Sequence, residues 1–127
     1  MIHNEITEKI LKACFQLRNE LGCGFVESVY EKALLIALRE DDLDAVRQAP
    51  ITVKFRKQDV GLFYADLLVE DKIIVELKAT SSLLPEHIAQ TINYLKATGK
   101  QVGLLVSFGN PRLEYRRINN TLDYKHT

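Results

Sequence analysis

Residues 60–80 read VGLFYADLLVEDKIIVELKAT. Two runs rich in aliphatic and aromatic residues flank the polar segment Glu70–Lys72, the pattern of two strands joined by a tight turn. Charge interrupts both runs. Glu76 and Lys78 lie in IIVELKA, residues 73–79, and share one parity, so both point to one face of their strand. Asp66 interrupts FYADLLVE in the same way. A buried charge is costly unless paired or bound to metal. Glu76 and Lys78 are therefore either a charge pair on a half-exposed strand end or parts of a site.

The turn governs whether Asp66 meets Glu76. A two-residue turn, Glu70–Asp71, pairs Val69 with Lys72, sets Asp66 opposite Val75 and takes its carboxylate off the face of Glu76. A three-residue turn, Glu70–Lys72, pairs Val69 with Ile73 and places Asp66 opposite Glu76. Glu-Asp is not the Asn-Gly or Asp-Gly that two-residue hairpins prefer, which favours the second register. Two carboxylates on one face repel unless a cation lies between them. A hard, oxygen-ligated cation, Mg²⁺ or Mn²⁺, is the natural occupant.

Outward from this hairpin the period changes. Ile6, Ile10, Cys14, Leu17 and Leu21 recur at helical spacing over residues 5–21, and Gly22 and Gly24 close that helix. A second helix is expected over 26–40, with Tyr30, Leu34 and Leu38 on its apolar face and the acidic EDDLD ending it. ITVKFRK, residues 51–57, alternates as a half-buried strand does. Pro85 suits the first turn of a third helix, about 85–97, which Gly99 ends. QVGLLVSF, 101–108, is almost wholly apolar and reads as a central strand covered on both faces. LEYRRIN, 113–119, reads as an edge strand. The order ααβββαββ predicts an α/β sandwich, a mixed sheet flanked by helices.

The 127 residues fit one domain, 1–127, with a core large enough to need no disulfide or metal staple. MIHNEITEKILKACF has charges where a secretion signal needs an apolar core. The longest apolar runs fall far short of a membrane span. Cys14 and Cys23 lack zinc-ligand spacing and read as small buried thiols of a reducing cytoplasm.

Other polar residues are ambiguous alone. At roughly 100° per residue, Glu27 projects between Leu34 and Leu38 rather than from the solvated face. It is also in the first turn, where the helix dipole favours an acid. Gln90 and Tyr94, one turn apart on the third helix, form either a polar face looking at Glu76 or a solvated face. His87 could reach a phosphate but reads as a surface histidine, and His3 and His126 read as exposed.

Taken together, Asp66 followed by Glu76-Leu77-Lys78 in an apolar strand resembles the PD-(D/E)xK nuclease superfamily, with Ala65 where that signature often has Pro. GFVESVY, with Gly24, Glu27 and Tyr30, is similar to the small GxxExxY family of that superfamily, as is the Q-x-x-x-Y of Gln90 and Tyr94. The likeness runs from about residue 5 to 118. It departs at Ser107, where the family often has Asn, and in REDDLDAV, which lacks a frequent Gly. The resemblance implies a restriction-endonuclease-like αβββαβ core and a Mg²⁺-dependent phosphodiesterase site. Asp66, Glu76 and the Leu77 carbonyl would ligate metal, and Glu27 would complete the site. Lys78 would orient or help deprotonate the attacking water, and Gln90 and Tyr94 would shape the site.

Charge sharpens the expectation of a nucleic-acid partner. Seventeen basic and seventeen acidic residues exclude bulk electrostatic coating of nucleic acid. Residues 96–127, however, hold six basic and two acidic residues. Lys96, Lys100, Arg112, Arg116 and Arg117 are the candidates for a phosphate-facing surface, against the plainer reading of a solvated helix end and edge strand. Two functions compete: a Mg²⁺- or Mn²⁺-dependent nuclease, acting on DNA before RNA, and a non-catalytic module that holds nucleic acid or protein on the same fold. Two-fold substrates would favour a homodimer with the site between protomers.

Overall fold

The computed structural model describes residues 1–109 and 111–120, so His126 lies outside the described residues. Among these, the elements run α1 (Asn4–Leu21), α2 (Glu27–Glu40), β1 (Ala45–Phe55), β2 (Gln58–Val69), β3 (Ile73–Lys78), α3 (Pro85–Thr98), β4 (Val102–Ser107) and β5 (Glu114–Asn119). This is the expected ααβββαββ order. The strands form one sheet in the order β1-β2-β3-β4-β5. Only β3 and β4 are parallel, joined by the α3 crossover, and the other neighbours are antiparallel.

Each face of the sheet has its own core. Val75, Leu77, Leu104 and Val106 meet Ile10, Cys14, Tyr30 and Leu34 of α1 and α2. Ile74, Leu105 and Ile118 meet Tyr94 and Leu95 of α3. Covered on both faces, β4 is buried at every residue, as its unbroken apolar run requires. Gly103 lets α3 approach, since a Cβ there would lie 2.9 Å from the Thr91 methyl.

Three expectations need correction. β1 begins at Ala45, six residues before the predicted strand. Its first half is hidden in sequence by Arg47, Gln48 and Pro50, which an edge strand tolerates. Cys14 is buried, but Cys23 is exposed, because it lies in the loop between α1 and α2. Glu27 is exposed and does not project among the apolar side chains. It is the first residue of α2, and the wheel assumes a preceding turn that is not there. Among the described residues no helix is long and apolar enough to cross a membrane.

Candidate active site

The β2–β3 turn spans Glu70–Lys72, with Glu70 and Asp71 both at positive φ, and Val69 pairs with Ile73. This is the three-residue register, which sets Asp66 opposite Glu76. Backbone pairing between the strands stops at Leu67 and Val75. Beyond that point side chains take over. The Asp66 N–H donates to Glu76 Oε2 at 2.8 Å, and the Leu77 N–H donates to Asp66 Oδ2 at 2.7 Å. The sheet splays there, and two carboxylates occupy the opening.

Glu76 is only 4% exposed. Burial, then the charge of Asp66, pushes its carboxyl up to about 8. Asp66 is shifted upward as well, chiefly by burial. Lys78, at the end of β3, offsets both shifts through its charge. The β3 end is held by the Lys78 carbonyl, which accepts from Phe108 N–H at 2.8 Å, and by Ser107 Oγ, which donates to the Thr80 carbonyl at 2.7 Å. Ser107 thus anchors the loop that leaves β3.

From α3, Tyr94 lies within electrostatic reach of the pair. Burial, then the charges of Glu76 and Asp66, raises its phenol. Gln90 is half-buried and lines the same groove as Tyr94. His87 is used locally, its Nδ1 accepting from Leu84 N–H at the start of α3.

Sequence reasoning passed over Glu31. It is 4% exposed and accepts from Arg47 Nε at 3.0 Å and Gln48 Nε2 at 2.7 Å. Its charge is among the causes that raise Asp66. Gln48 sits between the Arg47–Leu67 and Ala49–Ala65 pairs, and its φ of 52° is uncommon for a residue with a side chain. The signal was available: the wheel that singled out Glu27 puts Glu31 about 20° from Leu38.

Tyr30 has a structural task. Its hydroxyl donates to the Gly22 carbonyl at 2.7 Å, and its ring stacks on Phe108 at 4.4 Å. It ties the α1–α2 loop, where Gly24 has φ 107°, to Phe108, the residue that follows β4.

The five C-terminal cations do not share a surface. Lys100 pairs with Asp71 at 3.1 Å. Arg117 donates to Thr7 Oγ1 at 3.0 Å and to the Ile2 carbonyl, which fastens β5 to the start of α1. Lys96, Arg112 and Arg116 are exposed. Alternation along β5 sends Arg116 and Arg117 to opposite faces.

The donor set fits a hard divalent ion. Two crowded carboxylates, both shifted toward the proton-bound form, supply the oxygen ligands and the unfavourable charge that such an ion relieves. Mg²⁺ keeps most of its waters and takes one or two carboxylates. Among the described residues there is no cluster of three or more His, Cys, Asp or Glu side chains suited to a metal.

Comparison with known proteins agrees with this fold. A family model described as the PD-(D/E)XK nuclease superfamily matches residues 4–118. No curated protein matches the sequence. Among solved structures, SSO0001 superposes with a TM-score of 0.60 at 20% identity, over 79% of this chain and 53% of its own, so the chain spans about half its length. The alkaline exonuclease LHK-Exo from Laribacter hongkongensis superposes with a TM-score of 0.55 at 14% identity, over 99% of this chain and 75% of its own.

Proposed function

The chain belongs to the PD-(D/E)XK nuclease superfamily, and from that membership we propose that it hydrolyses phosphodiester bonds in nucleic acid with the help of a divalent cation, DNA being the substrate to test before RNA. The paired bonds that set Glu76 on the Asp66 N–H and Asp66 on the Leu77 N–H, with the Lys78 charge acting on both acids, carry this reading. Nucleases of this superfamily generally use divalent metal ions. Here Asp66, Glu76 and the Leu77 carbonyl would hold Mg²⁺ or Mn²⁺. When bound, the ion supplies an acidified water and counters charge developing on the phosphate.

The chain's own residues supply the rest. Asp66 and Glu76 are each oriented by a main-chain N–H group. Lys78 presents an ammonium to the same space, where it orients the attacking water and attracts the phosphate. Gln90 and Tyr94 wall the site from α3. In this reading Glu31 is the helix acid that acts on Asp66, through charge, while Glu27 lies in the exposed first turn. Gly24, Glu27, Tyr30 and the Gln90–Tyr94 pair also support the finer likeness to GxxExxY proteins. Lys96, Arg112 and Arg116 remain as exposed contacts for substrate phosphates.

Incubation of supercoiled plasmid with Mg²⁺ or Mn²⁺ tests the proposal. Cleavage is expected from the wild type and not from Asp66→Ala or Glu76→Ala. Cleavage that persists in both variants would mean a contaminant and overturn the assignment. Metal-independent binding without turnover would favour a non-catalytic module.

A further inference from the structure

A groove of ≈ 780 Å³ lies between α3 and the β1–β2 hairpin, and its wall includes Tyr94, whose phenol feels the charges of Glu76 and Asp66. That volume is in the range of pockets that take small ligands, about 300–1,000 Å³. Its walls include Val53 and Phe63 from the hairpin and Gln90, Asn93, Tyr94 and Lys96 from α3. Phe63 is the unusual member. The residue is 45% exposed, although it lies on the side of the hairpin that faces α3. It leans on Tyr94, with ring centroids 5.9 Å apart and planes at 41°, and lies across Gly61, where a Cβ would come within 3.0 Å of it. The ring is thus held in place without being covered.

We propose that this groove receives an unpaired nucleobase of the substrate strand, stacked on Phe63 and contacted by the Asn93 and Gln90 amides, while the adjoining phosphate reaches Asp66 and Glu76. The inference rests on the nuclease reading and adds the substrate's form: single-stranded or locally unpaired nucleic acid.

Three observations converge on that ligand. An open aromatic face binds any base by stacking, and duplex DNA, with its bases stacked on each other, offers none. Two carboxamides, each both donor and acceptor, match the mixed edges of a nucleobase. Lys96 is exposed at the groove, where it attracts a phosphate. Continuity with the site comes through Tyr94, which meets the Phe63 ring and lies within electrostatic reach of Glu76 and Asp66. A base in the groove would leave its backbone on the side of α3 from which Tyr94 feels the carboxylates.

Fluorescence anisotropy with a labelled oligothymidylate, and with a blunt duplex of equal length, tests this in EDTA, where cleavage is off. The single strand is expected to bind more tightly than the duplex. Phe63→Ala should weaken single-strand binding by roughly 5- to 150-fold, the worth of one stacked base. Asn93→Ala should weaken it less, and its exposed position keeps the test valid if Phe63→Ala folds poorly by circular dichroism. Equal affinity for duplex and single strand, or unchanged affinity in Phe63→Ala and Asn93→Ala, would overturn the proposal. So would sedimentation showing a dimer that Phe63→Ala abolishes while strand binding survives, since the groove would then join two copies. Cleavage with Mn²⁺ in wild type and Glu76→Gln is read separately. Loss of the nuclease reading would leave a strand-binding groove, and loss of the groove would leave a nuclease.

Discussion

The main chain of Asp66 donates its N–H to Glu76 Oε2 at 2.8 Å, while the carboxylate of Asp66 accepts the N–H of Leu77, the residue after Glu76, at 2.7 Å. Each acid thus replaces a ladder hydrogen bond of the partner strand. The arrangement opens the sheet and crowds two carboxylates into the gap. A folded chain without an ion there must take up protons or endure the repulsion.

That crowding makes metal-free stability depend on pH. The Glu76 carboxyl is raised from 4.5 to about 8 by burial and by Asp66. Between those values the folded state holds a proton that the unfolded chain has released, so unfolding free energy falls as pH rises across the window. Asp66 shifts in the same direction. In EDTA, Tm should decline from pH 5 toward pH 8, and Glu76→Gln should flatten that decline. Added Mn²⁺ should raise Tm more at pH 8 than at pH 6, because protons compete for the same oxygens. A thermal-melt series over pH checks both. A pH-independent Mn²⁺ effect would mean that the ion binds elsewhere.

Lys78 is expected to matter for turnover more than for folding. It is half-buried at the end of β3, and its backbone carbonyl, not its side chain, accepts from the Phe108 N–H. Lys78→Met keeps the aliphatic stem and removes the charge. Single-turnover cleavage should fall by about 10²–10³-fold, the usual scale for a group that stabilises charge in the transition state. Mn²⁺ affinity, measured by calorimetry, should not weaken, since a repelling cation has been removed. Equal losses in Mn²⁺ binding and cleavage would assign Lys78 a structural task.

Much of this was legible in residues 60–80, because turn chemistry and strand parity are local. Glu-Asp disfavours a two-residue hairpin, and the three-residue turn then places Asp66 against Glu76. Information carried by tertiary contacts was less accessible. The first half of β1 contains Gln48 at positive φ and Pro50, so its alternation is broken in sequence although it pairs with β2. Arg117 reads as a free cation until α1 is seen to lay Thr7 and the Ile2 carbonyl against it. Glu27 and Glu31 lie one turn apart on the same stripe, and only the packing of Arg47 and Gln48 distinguishes the buried acid from the exposed one.

The two helix acids should therefore behave differently. Glu31→Leu removes a buried carboxylate whose Oε1 accepts from both Arg47 and Gln48, and it should cost about 1–3 kcal/mol, the scale for leaving such partners unpaired. The Arg47 side chain is 31% exposed, so water limits that loss. Glu27→Gln, at an exposed position, should leave stability unchanged within the scatter of surface substitutions. Urea titrations of both variants provide the comparison. If Glu27→Gln proved the more harmful to Mn²⁺ binding, the helix acid of the site would be Glu27 after all.

The loop after β3 offers a test of how the site is braced. A Cβ on Gly109 would lie 2.1 Å from the Thr80 carbonyl oxygen and 2.6 Å from that of Ala79. Both are backbone atoms, so neither can yield by changing rotamer. Thr80 is also the carbonyl that Ser107 Oγ holds at 2.7 Å, two residues beyond Lys78. Gly109→Ala must therefore push the β3 exit away from β4, at a cost of about 1–3 kcal/mol by analogy with overpacked cores. The shift moves the strand end that carries Lys78, so cleavage should fall even at temperatures where the variant is fully folded. Ser107→Ala removes only the hydroxyl anchor and should reproduce a milder form of the same defect. Urea unfolding and plasmid cleavage, measured on both variants, separate bracing from general instability: full activity in a destabilised Gly109→Ala would show that Lys78 does not depend on this loop.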